Sequence, residues 1–378
     1  MITIRNVSMV MSLLAGGLGI APDASATALD ATGLINTYNA IVFNNVTSTS
    51  HVDGSTLVGG EVKGGTYGQH VNLANTALTV GKSLSGSVDL NAAGLIVGGN
   101  IATSGLNANR GGNIYVGGNI TSGFNANFNG FGSLYVVGSV TNGTVNANGG
   151  SAYIGGTIGS GAGVKTNGGG SLSVGSSLPT AQIPNVASEI SAARAALTAY
   201  SGQLSKLATD STVSNKNGTL TFTATPGADG VAVFSINGAD LLNNSKQIDF
   251  SLNGAKEAII NVSGIGANSL TLGANFMGGS AQKLGTNTVW NFTDAQNINI
   301  KNQFGGTILA VLANISTSQN IEGTVIANNL NQNGEIHYNG QNTNMVSAVP
   351  LPAALPLFGA AILGLGALGY RKRSSGTA

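Results

Sequence analysis

A short step recurs through the first half of the chain: one aliphatic residue, then Gly-Gly, Gly-Ser or Gly-Lys. It appears as Val58-Gly59-Gly60, Val80-Gly81-Lys82, Val97-Gly98-Gly99, Val116-Gly117-Gly118, Val137-Gly138-Ser139, Ile154-Gly155-Gly156 and Val174-Gly175-Ser176, at spacings of 22, 17, 19, 21, 17 and 20 residues. A short apolar run precedes each step, as in Leu95-Ile96-Val97, Ile114-Tyr115-Val116 and Leu134-Tyr135-Val136-Val137. A second element keeps the same phase: Asn107-Ala108-Asn109, Asn125-Ala126-Asn127 and Asn146-Ala147-Asn148. A repeat of ~20 residues made of short strands and turns reads as one coil of a parallel β-helix. Coils stack at ~4.8 Å, so equivalent residues stand above one another. Stacked Val, Ile and Leu then fill the interior. Glycine is expected at corners that need positive φ, and asparagine in hydrogen-bonded ladders between coils. The leucine-rich repeat has a similar period, but its L-x-x-L-x-L frame is missing.

Composition agrees with stacking. Of 378 residues 58 are Gly and only 8% are charged, because charges in register would stack like on like. With no Cys there is no disulfide framework and no thiolate metal site. Fifteen Lys+Arg against 14 Asp+Glu leave a net charge of +1, so no electrostatic footprint for nucleic acid exists. The glycines follow no three-residue period, which excludes collagen, and a hydrophobic share of 42% argues against disorder. The scarcity of acids and bases argues against catalysis, which draws on perturbed titratable groups in a cleft.

The coil pattern stops near Leu178, and Pro179 and Pro184 follow as breakers. Val186, Ile190, Ala193, Leu197, Tyr200, Leu204 and Leu207 then recur at three- and four-residue spacing, which predicts one amphipathic helix over 185–208. It is expected to lie along the stack and cover one face. Strand patterns return at Leu220 to Thr225, Val231 to Ile236, Gln247 to Leu252, Ala258 to Val262 and Leu270 to Leu272. Thr288-Val289-Trp290, Thr307-Ile308-Leu309 and Thr324-Val325-Ile326, spaced by 19 and 17, predict further coils. Whether these extend the first stack or join its other end is left open by the pattern. The expected fold is mainly β: a right-handed parallel β-helix over 29–345 with one inserted amphipathic α-helix alongside, an N-terminal signal helix and a C-terminal transmembrane helix.

Both ends read as addresses. Arg5, an apolar run from Val7 to Ile20 and the small residues Ala24-Ser25-Ala26 form a secretory signal pattern over 1–26. Near the other end stand Val349-Pro350-Leu351-Pro352-Ala353, an apolar stretch to Tyr370 and the basic Arg371-Lys372-Arg373. Leu351 to Tyr370 is long enough to span a bilayer, for which roughly 20 residues suffice, and the basic triplet would stay cytoplasmic. This tripartite segment, 349–373, resembles the PEP-CTERM sorting signals of Gram-negative bacteria, in the variant beginning VPLPA. The resemblance implies an exosortase-type processing enzyme as partner, a precursor tethered to the inner membrane, and delivery to the cell surface or matrix.

A second resemblance covers nearly the whole chain between these ends. Tyr38-Asn39, Val52-Asp53-Gly54, the segment Trp290 to Ala295, the segment Gly306 to Ala310 and Glu322-Gly323-Thr324 resemble the choice-of-anchor A domain of bacterial surface proteins. That family has Pro after its Leu-Ala pair, where Val311 stands here. Some of its members are described as collagen-binding-like adhesins, so the resemblance implies a surface role.

Other chemistry finds little support. His51, His70 and His337 lie far apart in sequence without metal-ligand spacing, so no metal site or cofactor is expected. Gly168-Gly169-Gly170 lacks the Lys-Ser/Thr of a phosphate loop, and periodic Asp for calcium repeats is missing. Carbohydrate-active β-helix enzymes need acids or bases clustered on one face. Residues 95–178 hold only Arg110 and Lys165, and Asp294, Glu322 and Glu335 follow no motif. Ice binding by Thr-x-Thr arrays is disfavoured, because the repeats lack them. The expected function is non-enzymatic adhesion, or association with exopolysaccharide, a biofilm or a matrix protein. Tyr115, Tyr135 and Tyr153 fall at similar coil positions, and their alternation with Ile114, Val116, Leu134 and Val136 predicts an outward stripe that could contact a ligand.

Overall fold

The computed structural model describes residues 30–338, except 72–74, 92–93, 176–177, 179–184 and 244–245. Within it the chain winds as a three-faced parallel β-solenoid. One turn shows the plan. Ser133–Val136 lies on the first face, Val140 bridges on the second and Gly143–Asn148 lies on the third, before Ser151–Ile154 returns above the start. Inward residues stack in columns, for example Val80, Val97, Val116, Val136 and Ile154, all fully buried. Alternation of side chains across a strand makes this possible.

The order of coils differs from the order of sequence. Chain from 38 to 174 climbs one half of the stack. Chain from 219 to 338 builds the other half, and its last strands pair with the first: Val325–Gln332 lies parallel to both Tyr38–Val42 and Val46–Ser48. Ile336–His337 likewise pairs with His51–Val52. The later coils therefore join the stack below the N-terminal coil. The seam between them lies mid-stack and brings residues ~284 apart into hydrogen-bond contact, as in Ser48 Oγ donating to Gln332 Oε1 at 2.9 Å.

Helix α2 (Val186–Leu204) connects the two halves. It starts at the Asn185 cap, whose side chain accepts from the Ser188 amide. Ile190 reaches Gly59, Arg194 lies over the Phe43 ring and donates to Asn328, Ser201 donates to Asn291, and the Leu204 carbonyl accepts from Asn261. These partners step down the stack coil by coil. Helix from Ile190 to Leu204 rises about 21 Å, and the coil steps between the strands of Gly59 and Asn261 rise about 24 Å. The helix is thus a strut of matching length, packed on outward Ile41, Leu57, Ile259, Val289, Leu309 and Ile326. Leu207 lies beyond it and is exposed. A second helix, α1 (Ala31–Thr37), capped by Asp30, packs beside it.

At the lower end Thr212–Lys216 and Thr219–Thr223 form an antiparallel hairpin. Asn217 and Gly218 turn it, both at positive φ, as a two-residue hairpin requires.

Three expectations are corrected. The glycines of the aliphatic-Gly step mostly have ordinary φ; the positive-φ glycines sit at other corners, such as Gly143 and Gly168. What excludes a side chain at Gly81, Gly98 and Gly117 is the carbonyl oxygen of the equivalent glycine one coil below. The step at Val137 is displaced by one residue: Val136 stacks on Val116 and under Ile154, while Val137 takes the corner and faces solvent. Trp290 stacks with Ile308, so the Thr288 triplet is also out of register by one. No helix among the described residues is long and apolar enough to cross a membrane. The predicted signal segment 1–26 and the sorting residues, from Val349 to Ala353 and from Arg371 to Arg373, lie outside the described residues.

Candidate functional site: an aromatic and amide surface beside a histidine cluster

The outward column of the first face carries the tyrosines. Tyr115, Tyr135 and Tyr153 pair in register and are partly exposed, while their strand neighbours point inward. Ring centroids are 5.0 and 5.1 Å apart with planes 13° and 9° from parallel. The rings cover one another's faces, so a ligand meets mainly their edges and hydroxyls. Burial, then the neighbouring Tyr135, raises the Tyr115 phenol's pKa, and its hydroxyl accepts from Asn113 Nδ2 at 3.1 Å.

Below the ladder the same column continues through Ile96 and Thr79 to Leu57, where α2 begins to cover it. Between ladder and helix lies an open groove of about 690 Å³, lined by Tyr38, His70, Thr79, Ile96, Glu189 and Tyr338 among others. Tyr38 donates to Glu189 across 2.7 Å. Burial and then the Glu189 charge push the Tyr38 pKa far up.

The third face carries amide ladders. Asn146 donates to Asn125, Asn148 to Asn127 and Asn167 to Asn148, each at 2.8 Å, and Asn127 to Asn109 at 3.1 Å. Each such amide keeps hydrogen-bonding capacity for solvent or a ligand.

The fold also gathers all three histidines, which sequence spacing kept apart. His337 Nε2 lies 2.7 Å from Glu335 Oε2, and its Nδ1 lies 3.0 Å from Glu322 Oε1. His51 Nδ1 is 3.6 Å from Glu335 Oε1, and its Nε2 is 3.4 Å from Asp53 Oδ1. His70 Nδ1 sits 3.3 Å from the other oxygen of Asp53. Burial pulls the His337 pKa down, but hydrogen bonds to Glu335 and Glu322 and the surrounding carboxylates outweigh it and hold it above the usual value. The same bond from His337 lowers the Glu335 pKa. His51, Glu335 and His337 each offer one donor atom within 4.8 Å of the others. Only the pairing of Ile336–His337 with His51–Val52 reveals this set. Asp294 stands apart and accepts from the Gly264 and Ile265 amides, a structural role.

A family model described as "Putative Ice-binding-like adhesive domain" matches residues 31–133 and, overlapping it, 124–338. The chain belongs to this family. The two overlapping matches together span the described solenoid, helix α2 included. No curated protein and no solved structure matched the chain.

Proposed function

We propose that this chain is a non-enzymatic adhesive protein of a bacterial surface or extracellular matrix that binds polysaccharide along the tyrosine ladder. The ladder is the observation that carries the reading. It offers three rings in register, edges and hydroxyls outward, on a stiff stack with few charges. Glycans present alternating apolar CH patches and hydroxyls, which such a strip can match with shallow contacts and many weak hydrogen bonds. Family membership supports the adhesive part.

The test is retention of the purified full-length protein on insoluble cellulose, chitin and purified bacterial exopolysaccharides. Retention on at least one is expected, and Tyr135→Ala should weaken it about tenfold, the size of a central contact residue. No retention, or a Tyr135→Ala variant that binds as well as the parent, removes the reading. The bound polysaccharide should be recovered unshortened. Release of soluble oligosaccharide would instead favour a carbohydrate-active enzyme working in the groove beside Glu189 and His70. Absence of thermal hysteresis is expected and would set the ice-binding reading aside.

Export by the 1–26 segment and sorting by the 349–373 segment, with an exosortase-type enzyme as partner, complete the proposal. They rest on the tripartite patterns of the two ends. Mass spectrometry of the extracellular form should find the chain starting after Ala26 or Ala28 and ending near Pro350. An intact C-terminus there would overturn processing.

A further inference from the structure

We infer that His51, His337 and Glu335 form a site for one divalent transition-metal ion of the zinc class, which ties the last C-terminal coil to the first N-terminal coil. The three residues come from both sides of the seam, and each can place one donor atom within 4.8 Å of the others. A four-coordinate ion with bonds of ~2.0–2.1 Å holds neighbouring ligands ~3.3 Å apart. The observed 3.6 Å from His51 Nδ1 to one Glu335 oxygen and 2.7 Å from His337 Nε2 to the other lie on either side of that value, and side-chain rotation brings the donors onto one ion.

The surroundings are those of metal-ligating imidazoles. Such a histidine normally gives its second ring nitrogen to a carboxylate, which fixes its orientation and raises its basicity. His337 does so here, turning Nδ1 to Glu322, a carboxylate 3% exposed, and His51 places Nε2 3.4 Å from the carboxylate of Asp53, 7% exposed. Glu335 is itself oriented: its amide donates to Asn320 Oδ1, and Asn320 Nδ2 donates back to its carboxylate at 3.3 Å. The ligand side chains are 21%, 28% and 40% exposed, so an ion can enter without unfolding, and solvent can supply the fourth ligand. Two imidazoles and one carboxylate favour zinc-like ions over calcium or magnesium, which require more oxygen donors. The tie crosses the seam at a point where the two strands pair with each other only through Val52 and Ile336.

The test is titration of the full-length protein with Zn²⁺ alone, followed by calorimetry and thermal unfolding. One saturable site per chain is expected, together with a rise in Tm of several degrees. His51→Ala and Glu335→Gln should each weaken binding about tenfold or more and remove the Tm gain, whereas His70→Ala should leave both unchanged. Co²⁺ should give the visible spectrum of a four-coordinate site, lost in Glu335→Gln. Glu335→Gln keeps the size of an exposed side chain, so it carries the test even if His51→Ala folds poorly. Absence of saturable Zn²⁺ binding, or binding unchanged in both variants, would overturn the inference. Equal competition by Ca²⁺ would also overturn it.

Discussion

At Gly81 the backbone has ordinary φ, yet a Cβ would press on the Gly59 carbonyl one coil below. Its role is coil spacing, and a methyl group there must push two coils apart. Gly81→Ala should therefore destabilise the protein by about 1–3 kcal/mol, the usual cost of overpacking. Gly202 gives the opposite case. It lies within α2 with no atom within 4 Å of a Cβ, so Gly202→Ala should stabilise by up to ~1 kcal/mol through helix propensity. Paired thermal melts decide both signs. A Gly81→Ala variant as stable as the parent would mean that coil contact is not what selects glycine at the step.

At the level of elements, α2 is held by packing and by a buried amide network. Asn291 donates to the Ser201 carbonyl at 3.0 Å and to Asn261 at 2.8 Å while accepting from the Ser201 hydroxyl at 2.6 Å. Buried polar groups so joined are costly to break. Leu197→Ala should cost about 2–5 kcal/mol as a cavity, and Ser201→Ala about 1–3 kcal/mol by leaving Asn291 short of a partner; urea unfolding monitored by circular dichroism measures both. Neither loss should alter Zn²⁺ affinity, since the strut and the histidine cluster share no residue. Helix α2 was legible from its apolar spacing, and most strands from their alternation. Register was less so. Val136-Val137 and Val289-Trp290 each offer two adjacent apolar residues, and only stacking against Val116 or Ile308 selects the one that faces inward. The tyrosine ladder followed from alternation within single strands. The histidine cluster did not, because its members meet through pairing of the two ends of the stack, which no local pattern encodes.

For the whole molecule, the discontinuous order of coils has a topological consequence. The chain could be rewired without changing any strand pairing: begun at Asn185, run through Tyr338, joined to Asp30 and ended at Val174. Tyr338 already lies against the first coil, its amide donating to Asp53 at 3.1 Å, and Asn39 donates to the neighbouring His337 carbonyl at 3.2 Å. Only α1 separates this point from Asp30, so a flexible linker of about ten residues, with a span of ~17 Å, should suffice. In this permutant the solenoid becomes continuous in sequence, and α2 becomes an N-terminal strut still linked to the lower coils. A closed linker also lowers the entropy cost of bringing the two halves together at the seam. The permutant should fold with the same circular dichroism spectrum, refold faster than the parent because its contacts are more local, and keep the same single Zn²⁺ site. Failure to fold would mean that the native connection between Val174 and Asn185 is needed to position the strut. Slower refolding would mean that seam closure does not limit folding of the native chain.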